Sequence, residues 1–322
     1  MTSKNSCERR IPASEITYNV RTPMRVAVER LFAACRFLYY LFYWENNAIK
    51  LSRYDIVDEK IPQRLGVIKL AQLSDLHGKV FGERSQRLFD TLAVERPDVV
   101  LITGDLIDER VYDLEYVADV TRRSVELAPT LYVTGNHEAN FKPQYFERFL
   151  DVVVSCGAIP LDGKRFAIER RAGRIALSEV AQCQVKDGVT IAGVADPVRA
   201  GREYKIRLAQ DLAEVAPAPN LFSILLSHRP ETFELYARHG FDLIFSGHAH
   251  GGQFRLPGVL PMGLNAPHQG WFPRYTGGLY LDRGARLIVS RGLGPSVLPT
   301  RLFNRPDLVV CRLARSKEIL EG

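Results

Sequence analysis

FDLIFSGHAHGGQF, residues 241–254, runs from an apolar pentad into two histidines one residue apart, His248 and His250, with glycines on either side. The pentad reads as a strand and the glycine-rich ending as the loop that leaves it. An isolated His-x-His in a surface turn is commonplace and decides nothing. The same arrangement, a short apolar run closed by a polar signature, returns four more times along the chain. VIKLAQL (67–73) ends in Asp75 and His77, DVVLI (98–102) in Asp105, TLYVT (130–134) in Asn136, His137 and Glu138, and FSILL (222–226) in His228. Five of the seven histidines stand in these endings, with His239 and His268 outside them.

Between and beyond these strands the chain carries amphipathic stretches read as helices at 83–96, 113–127, 143–155, 203–214 and 231–239, and further strands at 189–194, 286–290 and 308–313. Pro143 and Pro230 stand near two helix starts, where a missing N–H costs little. Strands alternating with helices mark a layered α/β domain. In such sheets functional groups gather where strand carboxyl ends converge on one crevice, so residues far apart in sequence are expected to meet. The gathered set holds carboxylates, imidazoles and one carboxamide but no thiolate. That chemistry suits Mn, Fe, Zn or Mg rather than a soft metal. In Asp-x-His and His-x-His one residue intervenes, so both partners are expected on one side of an extended loop. Glycines before Asp105, Asn136 and His248 are expected to allow tight turns and a close backbone approach to a phosphate.

The chain has 322 residues, of which 46% are hydrophobic and 25% charged, the balance of a globular protein with a sizeable core. Its net charge of +6 suits anionic partners without selecting one. Lys and Arg are scattered, so no nucleic-acid partner is indicated. The five cysteines, Cys7, Cys35, Cys156, Cys183 and Cys311, are odd in number and far apart, which supports neither a disulfide framework nor a zinc knuckle. No repeat, low-complexity segment or cleavable signal peptide is evident. Residues 1–24 are read as a flexible N-terminal segment, 25–45 as an amphipathic or membrane-anchoring helix, 66–314 as the catalytic domain and 315–322 as a C-terminal tail. Within 25–45, Arg25, Glu29 and Arg36 share one helical face and leave aromatic and aliphatic residues elsewhere, the pattern of an interfacial helix. Packing of this helix on the domain is the alternative.

Taken in order, the signatures Asp-x-His, Gly-Asp, Gly-Asn-His-Glu, His and Gly-His-x-His resemble those of the calcineurin-like metallophosphoesterases over residues 66–314. The resemblance implies a two-sheet β-sandwich flanked by helices, a four-layer αββα fold, with two divalent cations at one edge, manganese favoured. It implies Asp75, His77 and His250 on the first cation, Asn136, His228 and His248 on the second, Asp105 bridging both, and His137 facing substrate as the catalytic residue. The flanks HGGQFRLPG (250–258), GWFPRYTGGLY (270–280) and SRGLGPSVLPTR (290–301) resemble a bacterial membrane-associated branch that includes UDP-2,3-diacylglucosamine pyrophosphatases.

The expected reaction is hydrolysis of a phosphodiester or pyrophosphate bond by hydroxide held between the two cations. His137, as imidazolium, would stabilise charge or protonate the leaving oxygen. Glu138 is placed to orient His137 or Asn136, or else is an exposed helix-start carboxylate. Arg255, Arg274 and Arg291 are candidates for a second phosphate, and His268 for a substrate contact. Trp271 and Phe272 are read as packing and His239 as structural. A nucleotide-linked lipid at the cytoplasmic face of the bacterial inner membrane would suit the apolar N-terminal segment. The alternatives are a phosphodiesterase or phosphatase for a soluble substrate and a non-catalytic membrane-associated scaffold.

Overall fold

The computed structural model describes residues 23–180, 188–218, 220–295, 300–317 and 320. Residues 1–22 of the segment read as flexible lie outside them, as do Cys7, Cys183, residues 296–299 of the third flank and much of the expected tail. The chain divides into two units, Met1–Tyr40 and Leu41–Gly322.

The described part of the first unit is the helix Pro23–Tyr39, and none of its residues is buried. It starts on a proline, which needs no N–H partner at that position. Arg25 and Glu29 form an ion pair one turn apart at 3.4 Å. Leu31, Phe32, Phe37, Leu38 and Tyr39 are exposed. Among the described residues, no helix is long and apolar enough to cross a membrane.

A π-helical turn, Tyr40–Trp44, spans the boundary, and a helical turn, Glu45–Asn47, follows in the second unit. Asn46 and Glu45 are buried because their side chains accept the backbone N–H groups of Arg301 and Asn304. Fifteen strands follow: β1 (Lys50–Val57), β2 (Ile68–Leu73), β3 (Val99–Ile102), β4 (Thr130–Tyr132), β5 (Ile159–Pro160), β6 (Arg165–Arg171), β7 (Arg174–Glu179), β8 (Val189–Gly193), β9 (Phe222–Leu226), β10 (Leu243–Ser246), β11 (Asn265–Ala266), β12 (Gly270–Trp271), β13 (Gly278–Asp282), β14 (Ala285–Val289) and β15 (Asp307–Ala314). One sheet has the order β1-β15-β2-β3-β4-β5 and the other β13-β14-β10-β9-β8-β6-β7, with β11 and β12 forming a small hairpin. The first sheet thus begins ahead of the boundary read at residue 66, since β1 pairs in parallel with β15.

Two faces of each central strand are buried, and the period of two sorts side chains between layers. Val99 and Leu101 of β3 point to the core between the sheets, with Ile224 of β9 and Phe245 of β10. Val100 and Ile102 point the other way, with Leu88, Phe89, Val117, Val120 and Phe149 from the helices Gln86–Glu95, Leu114–Leu127 and Pro143–Ser155. Leu225 and Ile244 pack with Leu208, Leu212, Phe233 and Tyr236 from the helices Tyr204–Glu214 and Phe233–Arg238. The result is the four-layer order helix, sheet, sheet, helix. Strands β2, β3 and β4 are parallel neighbours in one sheet, and β9 and β10 in the other. Gln72 joins the sheets near these ends, its amide donating to Thr103 Oγ1 at 2.9 Å and to the Ser246 carbonyl at 3.0 Å.

Candidate metal centre

Three of the five strand-end signatures turn sharply rather than running on extended. Asp75, His77, Asp105, His248 and His250 all have positive φ, between 46° and 65°. Side chains other than glycine hold that conformation at a cost of roughly 1–3 kcal/mol each, and such strain gathers at functional sites. The turns, not an extended loop, bring Asp75 to His77 and His248 to His250. Gly104 makes the expected tight turn with φ of 87°, whereas Gly135 and Gly247 act differently. A Cβ on Gly135 would lie 2.2 Å from Asp105 Oδ1, and one on Gly247 would lie 2.3 Å from Asp75 Oδ2. These two glycines make room for carboxylates of neighbouring loops.

The polar atoms converge at the edge of the sandwich. His77 Nε2 lies 3.2 Å from His250 Nε2 and 3.7 Å from Asp105 Oδ2. His250 Nε2 is 3.5 Å from Asp75 Oδ1. On the other side of Asp105, His228 Nε2 is 3.1 Å from Asp105 Oδ2, 3.1 Å from Asn136 Oδ1 and 3.2 Å from His248 Nδ1. Of the four clusters that could hold a metal ion among the described residues, two share Asp105: Asp75, His77, Asp105 and His250 in one, and Asp105, His228 and His248 in the other. His228 Nδ1 faces the Thr103 carbonyl at 2.7 Å, which leaves Nε2 pointing inward.

Burial pushes the carboxyl of Asp105 up, but the charge of His228 and its hydrogen bond outweigh that and hold Asp105 well below the usual carboxylate range. Burial would lower His228, yet Asp105 and Asp75 overcome it and push His228 up to about 10. Burial keeps His77 neutral, at about 4, and holds His248 and His250 well below the usual imidazole value. Burial, against the charge of His228, pushes Asp75 up to about 6. His77, His248 and His250 offer lone pairs as neutral imidazoles, and Asp75 Oδ2 is buried without a hydrogen-bond partner. This all-nitrogen-and-oxygen donor set around shared negative charge fits divalent cations.

Glu138 is completely buried and sits behind the centre instead of beside His137. Its carboxylate accepts backbone N–H groups from Asp105 at 2.9 Å, Leu106 at 2.6 Å, Ile107 at 3.4 Å and Gly135 at 3.1 Å. It clamps the turn that carries Asp105. His137 is half-buried; its Nδ1 accepts the N–H of Glu109 at 3.1 Å, and its Nε2 lies 4.0 Å from Asp105 Oδ2.

A cavity of about 250 Å³ opens here, lined by His77, Asp105, Asn136, His137, His248 and His250, and by Asp108, Glu109, Arg110, Pro267 and His268. Neither Arg255 nor Arg291 lines it. Arg255 donates to the Gly251 carbonyl and Thr276 Oγ1, and Arg291 faces Asp307 at 3.4 Å. Arg274 stands by exposed Glu234 at 3.8 Å. Trp271 and Phe272, read as packing, are instead exposed at 68% and 71%. His239 closes the helix Phe233–Arg238, its Nδ1 2.8 Å from the Leu235 carbonyl, a structural position. The cavity arginine is Arg110, gripped by Asp108 at 2.7 and 2.8 Å, a pair the motif reading missed. Its signal was the run DLIDER directly after Gly104, where any strand-end loop residue can reach the crevice.

The calcineurin-like phosphoesterase family model matches residues 68–252. An uncharacterized metallophosphoesterase of Campylobacter jejuni is 32% identical over 278 residues, covering 84% of this chain and 66% of that protein. Another from Aquifex aeolicus is 30% identical over 276 residues, covering 83% of this chain and 92% of that protein. The phosphodiesterase YaeI of Escherichia coli is 26% identical over 279 residues, covering 85% and 92%. With a family match over more than half of its length, on the two-sheet frame whose strand ends gather these ligands, the chain belongs to the calcineurin-like phosphoesterase family and is a hydrolase.

Proposed function

We propose that the chain hydrolyses phosphodiester or pyrophosphate bonds at this centre. The observation that carries the reading is the pair of ligand sets sharing Asp105, with His137 on the cavity beside them. Asp75, His77 and His250 would hold one divalent cation, Asn136, His228 and His248 the other, and Asp105 both. Bound there, the cations supply charge stabilisation of a phosphoryl group and a nucleophile at neutral pH. Asp105 balances their charge, and Glu138 keeps its loop in register. Since His137 Nδ1 accepts the Glu109 N–H, the proton of the neutral ring sits on Nε2. His137 is then placed to donate Nε2–H to a phosphoryl or leaving-group oxygen, the proton-donor role read from sequence. Arg110 adds a cation that Asp108 holds at the cavity.

A diester is favoured over a monoester by the name of the Escherichia coli relative. A nucleotide-linked lipid such as UDP-2,3-diacylglucosamine fits an N-terminal helix whose large apolar side chains are exposed, and membrane contact through residues 25–45, at the cytoplasmic face, is part of the same reading. The test is incubation of manganese-loaded protein with a chromogenic phosphodiester and with UDP-2,3-diacylglucosamine, followed by mass spectrometry. Metal-dependent release of UMP is the expected result for the lipid. Cleavage of the chromogenic diester alone would leave the reaction class standing and remove the lipid, and cleavage of neither would remove both.

A further inference from the structure

His248 stands between a motif residue, His228, and residues that the ligand motifs do not include. Its Nδ1 faces His228 at 3.2 Å and its Nε2 faces His268 Nδ1 at 3.0 Å. The two rings are stacked, with centroids 5.2 Å apart and planes 27° from parallel. His268 sits in the turn of the β11–β12 hairpin with φ of 58°, a conformation that costs a residue with a Cβ. The turn is tied down next door: Gln269 donates to the Tyr275 carbonyl at 2.7 Å and accepts the Tyr275 N–H at 2.8 Å. A third group closes on the same spot. Glu231, in the turn Pro230–Thr232 just after His228, has a ligand atom within 4.8 Å of those of His248 and His268. Its Oε2 is buried and has no hydrogen-bond partner.

A histidine that binds a metal through one ring nitrogen commonly donates the N–H of the other to a neighbour, which sets the tautomer and aims the lone pair. For His228 the neighbour is the Thr103 carbonyl. We propose that His268 and Glu231 do this for His248. His268 Nδ1 accepts the His248 Nε2 proton, Glu231 backs the pair as a second acceptor, and His248 Nδ1 is left as a lone pair aimed at the set it shares with Asp105 and His228. His268 is thus a positioning residue for the second cation, rather than a substrate contact only. The hairpin that carries it also lines the substrate cavity, so occupation of that cation site and the shape of the cavity are linked through one side chain. This inference rests on the two-cation reading above.

The test is metal binding by the full-length protein, measured by equilibrium dialysis with manganese and by the electron paramagnetic resonance of the bound ions. The wild type is expected to bind two ions per chain and to show the spin-coupled signal of a manganese pair. His268→Ala is expected to weaken one of the two by about 10–100-fold, leaving the other unchanged and replacing the coupled signal with that of isolated ions at limiting metal. His268→Asn, which keeps an acceptor, is expected to restore most of the affinity, and Glu231→Gln to lose less than His268→Ala. His268 is exposed, so the metal-free His268 variants should melt with the wild type. Two ions bound with wild-type affinity by His268→Ala would overturn this inference and leave the two-cation reading intact. A wild type that binds no second ion would overturn both.

Discussion

Asp105 and Glu138 form a residue pair in which neither carboxylate can be read alone. Asp105 stands between two sets of imidazoles, while Glu138 gathers four backbone N–H groups that would otherwise be buried and unpaired. Each such donor left unsatisfied costs about 1–3 kcal/mol. Glu138→Ala is therefore expected to destabilise the fold by at least about 3 kcal/mol, read from the urea midpoint, and to lower metal affinity by displacing Asp105. His137→Ala should do the opposite: kcat falls by about 10²–10⁴-fold while bound metal and melting temperature hold. Unchanged kcat would exclude His137 as the proton donor. The converging residues were legible in sequence because histidine is scarce and five of seven close a strand. The duty of Glu138 was not, because its main partners are backbone amides about 30 positions earlier, which leave no mark on side-chain type. Arg255 and Arg291 show the reverse: side chains suited to phosphate are consumed by a carbonyl, a hydroxyl and Asp307.

Elements set where those residues point, and the turns after the strands matter as much as the strands. Gly135→Ala would drive a Cβ into Asp105 Oδ1. Protein of near-native secondary structure that binds fewer than two cations is expected, checked by circular dichroism beside metal analysis; full occupancy would mean the turn can yield. The turn Leu161–Gly163 offers a second check. Asp162 accepts the Thr134 N–H at 3.2 Å and its hydroxyl, and burial pushes its carboxyl up to about 6. A folded value above the usual 3.8 means that this group favours the folded state most below pH 4 and loses that contribution as pH rises through 6. Across that window stability should fall by about 1–3 kcal/mol, and Asp162→Asn should flatten the fall; an equally steep profile would refute the assignment. Central strands such as β9 and β10 were legible as unbroken apolar runs because both faces are buried. The strands β1, β5, β6, β7, β11, β12 and β13 were missed. Of these, β5, β11 and β12 are only two residues long. The others, β1, β6, β7 and β13, lie at sheet edges or beside them, where charged, polar or glycine residues interrupt the apolar run.

At the scale of the whole molecule, two sheets supply one centre: β2, β3 and β4 bring Asp75, His77, Asp105 and Asn136, while β9 and β10 bring His228, His248 and His250. Removal of residues 1–40 keeps Glu45 and Asn46 bonded to the 301–304 segment. The shortened protein is expected to keep its melting temperature and its hydrolysis of a small diester but to stop sedimenting with anionic lipid vesicles; continued sedimentation would place membrane contact elsewhere. The reading of Asp105 as a carboxylate shared by two cations is tested by manganese titration of the wild type and of Asp105→Asn, following ions bound per chain together with hydrolysis of a chromogenic phosphodiester. Activity is expected to rise only as the wild type takes up two ions, with a loss of about 10³-fold or more in kcat/KM for Asp105→Asn, several kcal/mol of lost stabilisation. Activity that persists in the variant, or that is complete with one ion bound, would contradict that reading.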